Sequence, residues 1–97
     1  MLITTTPNIE GHHISRYYGV VTGETFIDAA FIAAYEEELK EAKESALCKM
    51  EEHAMKLGAN AVVGVNLHYQ NIGVNGTQLM VTASGTAVYY KVEVRIP

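Results

Sequence analysis

The 97-residue sequence predicts an α+β fold in two layers, a sheet of antiparallel hairpin strands with one long helix on one face. Three observations predict it. From Tyr35 to Leu57, apolar residues recur at helical spacing, with Tyr35, Leu39, Ala42, Ala46, Met50 and Leu57 on one side. Beyond the helix, two runs alternate with period two around Asn75-Gly76, a hairpin signal. The whole chain then reads β, β, α, β, β, with no linker or repeat to divide it, so residues 1–97 are expected to form a single domain.

Residues 3–6 are β-branched or hydroxylic and stop at Pro7-Asn8, the pattern of a short edge strand and a turn. Residues 14–22 are rich in Tyr and Val, and Gly23 is the expected end of that strand. Its middle, from Tyr17 to Val21, is apolar on both faces, so the helix can cover one face and another subunit is the simplest cover for the other. The helix is expected to be continuous from Asp28, a good cap, because Phe31 and Ile32 extend the apolar stripe backwards. The rival start is Tyr35, where Glu36, Glu37 and Glu38 suit the positive end of the helix dipole. Glu36 with Lys40 and Glu52 with Lys56 form solvated pairs on the opposite side, and Gly58 ends the helix.

After it, Ala61, Val63, Val65, Leu67 and Tyr69 share one parity while Gly64, Asn66, His68 and Gln70 take the other. The next strand places Leu79, Val81, Ala83 and Ala87 opposite in parity to Thr82, Ser84 and Thr86. A loop of Asn75-Gly76 alone would put polar against apolar side chains. A three-residue loop, Val74-Asn75-Gly76, instead pairs Tyr69 with Val81 and Leu67 with Ala83. Gly85 marks a bulge or a close backbone approach, and residues 88–96 alternate far enough to extend the sheet or reach a neighbour.

Composition narrows the function classes. A formal charge of −4 gives no electrostatic reason to bind nucleic acid or an anionic membrane, and neither is expected as a partner. The first residues have neither a basic region nor a long apolar run, so no signal peptide is expected, nor any bilayer-spanning stretch. A lone cysteine, Cys48, cannot form an internal disulfide and suits a reducing compartment, so a cytoplasmic location is expected.

Local chemistry is sparse. His53 falls near the centre of the apolar stripe and reads as a core or interface residue. His12 and His13 are adjacent and point to opposite sides of an extended segment. Cys48 lies on the charged side near Glu44 and Glu52, without CxxC spacing or a basic neighbourhood. One Cys and four dispersed His fall short of a closed zinc site, and no pair of groups has catalytic geometry. An enzyme is therefore not expected, and neither the metal nor any cofactor is fixed by the residues.

Several stretches together resemble the YbjQ family of small bacterial proteins labelled as heavy-metal-binding: Thr4-Thr5-Thr6-Pro7; Gly19-Val20-Val21-Thr22-Gly23-Glu24; Leu57-Gly58-Ala59-Asn60-Ala61-Val62-Val63-Gly64-Val65; Asn75-Gly76 with Leu79-Met80-Val81; and Ser84-Gly85-Thr86-Ala87-Val88. The resemblance implies a fold similar to dodecin subunits, a β-α-β-β unit with extra short strands, and assembly into pentameric rings. The chain departs from the family pattern between Glu24 and Tyr35, where many members have a longer Gly- and Arg-containing segment, and after Val88. The resemblance carries no ligand motif onto numbered positions.

Together these features predict a non-enzymatic, ring-forming homo-oligomer, expected to be a pentamer, that binds a metal ion or small polar ligand through its assembly. The alternative is a heavy-metal-sequestering protein, and an enzyme with a site shared between subunits is a distant third. With the three-residue loop, Asn66 faces Ser84 and His68 faces Thr82, so Asn66, His68 and Thr82 are the expected ligand-binding residues. In a single copy that patch is an ordinary solvated sheet face; symmetry would repeat it around a ring.

Overall fold

The computed structural model describes residues 1–28, 35–73 and 78–91. In chain order the elements are β1 (Leu2–Ile3), β2 (His13–Asp28), α1 (Tyr35–Leu57), β3 (Ala61–Ile72) and β4 (Gln78–Lys91), in the sequence β, β, α, β, β. The sheet runs β1-β3-β4-β2, with α1 on one face, the α+β two-layer arrangement expected. It is mixed rather than wholly antiparallel, because β1 joins β3 in parallel. The hydrogen bonds of this edge continue past β1: Thr4 donates to the Val62 carbonyl, and Val65 and Gly64 donate to the carbonyls of Thr4 and Thr6.

β2 does not stop at Gly23 but runs on to Asp28, paired to β4 throughout. Gly23 is retained within the strand for a packing reason. A Cβ there would collide with the Ala46 carbonyl oxygen and lie 2.5 Å from the Met50 nitrogen and 2.9 Å from the Lys49 Cβ, so the missing side chain lets α1 rest directly on the strand. Asp28 is thereby a strand residue, which removes the expected helix start there. The described helix begins at Tyr35, with Glu36, Glu37 and Glu38 in its first turn as the rival start required; residues 29–34, including Phe31 and Ile32, lie outside the described residues.

The buried stripe of α1 is Ala42, Ala46, Met50 and Ala54, with Leu39 and Leu47 half-buried beside it. It advances in steps of four, which carries it away from His53 and Leu57. Both are exposed, Leu57 by 42%, so His53 is not the core residue its position suggested. At the end of the helix Gly58 takes φ +94° and donates to the Met55 carbonyl, while Ala59 donates to the Ala54 carbonyl. These two bonds form a Schellman cap and turn the chain directly into β3.

β3 pairs β4 in the expected register, Leu67 with Ala83 and Tyr69 with Val81, continuing to Ile72 with Gln78. The loop Val74-Asn75-Gly76 lies outside the described residues, as do residues 92–97. One departure from simple alternation matters. The register shifts between Val63 and Asn66, so that Gly64 and Val65 together oppose Gly85. Gly64 has φ +61°, the left-handed residue of a glycine bulge. Gly85 supplies the space, since a Cβ there would lie 2.6 Å from Val62 Cγ1 and 3.1 Å from Val65 Cγ2.

The bulge divides β3 into two phases. Val62 and Val65, three apart, both join the helix-side core with Val21, Val81, Ala83 and Ala87. Ala61 and Val63 face the other way, where Ile9 and Val88 bury them with Ile14 and Tyr90 in a second, smaller core. The expected single apolar parity from Ala61 to Tyr69 is therefore corrected to one parity before Gly64 and the other after it.

Candidate functional site

Past the bulge, the sheet face away from α1 is organised into transverse rows. Register places Thr22, Ser84 and Asn66 side by side, then Glu24, Thr82 and His68, then Phe26, Met80 and Gln70. Directly opposed residues share a face, so each row crosses β2, β4 and β3 in turn. Asn66, His68, Gln70, Thr22 and Glu24 are exposed, and Thr82, Ser84 and Thr86 are half-buried along the central strand. The structure thus brings together all three expected residues, with Thr82 beside His68 and Asn66 one row away.

Two polar members of this face come from β2 and escaped the sequence reading, namely Thr22 and Glu24. Ending the strand at Gly23 hid Glu24, while Thr22, the last residue of the expected strand, was not matched with a partner strand. A signal was present in the alternation of Thr22, Glu24, Phe26 and Asp28 against Gly23, Thr25 and Ile27, which continues the strand past Gly23 by another five pairs with β4.

The same strand carries apolar side chains with no cover. Tyr17 is 63% exposed, Val20 73% and Phe26 55%, although Val21, on the helix side, is fully buried. The expected double-sided apolar strand is present, with one side open. Elsewhere the candidates stay apart. Cys48 is exposed on α1 with Sγ 3.9 Å from Glu52 Oε1. His12 stacks edge-on against Tyr90, with ring centroids 5.2 Å apart, and His13 is exposed at the start of β2. Between α1 and β3 a shallow groove of about 260 Å³ is lined by Glu36, Leu39, Lys40, Lys43 and Tyr69. Among the described residues, no three His, Cys, Asp or Glu side chains gather as a metal site would need, and no helix is long and apolar enough to cross a membrane.

A one-helix, mixed-sheet α+β protein whose polar groups are displayed on an open sheet face is the class this geometry defines. The chain belongs to the YbjQ family, whose model, described as "Putative heavy-metal-binding", matches residues 1–33 and 29–91. It is 48% identical to the UPF0145 protein of Clostridium botulinum (strain Eklund 17B / Type B) over 106 aligned positions, covering 94% of this chain and all of that relative. The alignment is longer than the chain, so the relative has residues this chain lacks. The two family-model segments meet at 29–33, within the stretch where the departure from the family pattern was expected. In fold it is similar to the crystal structure of a DUF74-family protein of unknown function from Pediococcus pentosaceus, with a TM-score of 0.73 at 22% identity, covering 94% of this chain and 98% of the other.

Proposed function

We propose that the chain is a non-enzymatic subunit of a cytoplasmic homo-oligomeric ring, with five copies as the family resemblance implies, and that the assembled ring binds a small polar ligand or ion across the face carrying Asn66, His68 and Thr82. The observation that carries this is the contrast on one sheet face. Polar rows sit beside a strand whose Tyr17, Val20 and Phe26 are left open by a helix that covers only the other side. Apolar side chains in a row on a sheet margin favour burial against another protein surface, while the neighbouring hydroxyl, amide and imidazole groups offer donors and acceptors that symmetry multiplies. The family description favours a second form of the same proposal, in which the ligand is a heavy-metal ion.

The test is the double substitution His68→Ala with Thr82→Val, examined by native mass spectrometry of protein taken straight from cells. The expected result is an intact ring that has lost the ligand carried by the wild type. A ring that keeps every wild-type ligand would reduce the patch to a solvated sheet face.

A further inference from the structure

The outer edge of β3 is covered along part of its length only. β1 and the residues after it pair with β3 as far as Val65, so from Asn66 to Ile72 no described strand lies against that edge. About 23 Å of backbone donors and acceptors is thereby left open among the described residues. The same stretch borders the groove between α1 and β3. Tyr69 faces the helix layer opposite Val81, is 47% exposed, and lines the groove with Leu39, Lys40 and Lys43. The groove exists because α1 rests on β2 through Gly23, across the sheet from β3. An open strand edge beside a helix-walled groove can accept an extended segment, held by main-chain bonds, with alternate side chains turned to the groove.

The sequence of residues 92–97 suits that place. Val92, Val94 and Ile96 share one parity, with Glu93 and Arg95 on the other. These residues cannot reach the open edge of their own copy. Val88 pairs with Ala61, so Lys91 lies about 25 Å along the sheet from the level of Asn66, with β3 still to be crossed, and six residues span at most about 22 Å. A second copy can supply them. A segment that arrives from beyond Ile72 and runs antiparallel to β3 keeps that copy clear of the β1 side, where Leu2 to Thr6 already occupy the edge beside residues 61–65. Opposite ends of two chains then meet. Around Lys91, the bases Arg16, Lys56 and Lys91 outnumber Glu10, whereas around the start of α1, Glu36, Glu37, Glu38 and Glu41 outnumber Lys40. The two ends are electrostatically matched.

We propose that residues 92–97 of one copy add as a strand to residues 66–72 of the next, antiparallel to β3. Val92, Val94 and Ile96 turn to Leu67 and Tyr69 at the groove, and Glu93 and Arg95 lie beside the polar rows, since the opposite choice would set apolar side chains among polar ones. The contact uses a different surface on each partner, and repeating it around an axis closes a ring. It rests on the ring proposed above and supplies its joint. The inserted segment lies past residue 91, so the joint draws on residues outside the family match.

The test uses two full-length variants. Val94→Lys with Ile96→Lys spoils the inserted segment, and Tyr69→Lys spoils the groove; each should keep the helix signal in circular dichroism and raise the concentration needed for assembly by about tenfold or more. Mixing them isolates this joint from any other contact. A native segment meets a native groove only in the mixture, so native mass spectrometry should show mixed pairs at concentrations where each variant alone is monomeric. In the wild-type ring, amides in residues 66–72 should be protected from hydrogen exchange, and the substitutions at Val94 and Ile96 should expose them while residues 61–65 stay protected. Variants that assemble like the wild type, a mixture without pairs, or an unprotected edge in the wild-type ring would each overturn the joint and leave the ring standing. A monomeric wild type would overturn both.

Discussion

Two glycines decide how the layers meet. Gly23 lets α1 touch β2 at backbone distance, and Gly85 admits the valines flanking the β3 bulge. Gly23→Ala must push the helix away, because its Cβ would meet the backbone of Ala46 and Met50, which cannot rotate aside. The substitution is expected to cost about 1–3 kcal/mol, the usual penalty of overpacking, read as a lower urea midpoint. An unchanged midpoint would mean that the layers can separate freely. At this scale the sequence was only partly legible. Gly85 announces a close approach, but Gly23 looks like a strand end because nothing in the local residues reveals that a helix passes above it. Similarly, the choice between His53 and Ala54 for the buried stripe turns on a rotation of about 100° per residue, set by how the helix settles on the sheet.

At the scale of elements, the hairpin register was readable because polar and apolar parities had to match across it. The extent of β2 was signalled only by the short alternation past Gly23, which is decisive once β4 is there to pair with it, and the start of α1 was left between two positions. The junction of α1 and β3 shows how such a boundary is fixed. The Asn60 side chain donates to the Tyr90 carbonyl and accepts from the Tyr90 N–H, both at 2.9 Å, while its own N–H donates to the Val88 carbonyl. An amide side chain thus continues the ladder one step beyond the strand. Asn60→Ala leaves two half-buried backbone groups without that partner and is expected to cost about 1–3 kcal/mol. Hydrogen exchange should locate the effect, with the Tyr90 amide losing protection before the centre of β4. Uniform loss along the strand would argue against a local clamp.

At the scale of the whole molecule, the single copy is long and thin. Its extents are 58 × 25 × 20 Å and its radius of gyration is 16.2 Å, against about 12.5 Å for a compact chain of this length. The cause is a mismatch of elements. The sixteen residues of β2 span about 53 Å, whereas the twenty-three of α1 span only about 34 Å, so the helix leaves strand ends beyond its reach. Light scattering at micromolar concentration is expected to give a mass several times that of one chain; a monomer would contradict the proposed ring. The α+β class, the element order and the part of the polar rows that lies on β3 and β4 were legible from alternation. The parallel joining of β1 was not, because residues so few can pair in either sense. The face on which those rows lie depends on a single extra residue. Had β3 kept strict time through Gly64, Asn66 and His68 would have pointed into the helix layer, and Leu67 and Tyr69 would have taken their places outside. The strand changes step once, and by doing so it closes a small core behind the N-terminal segment and still displays its imidazole to the outside.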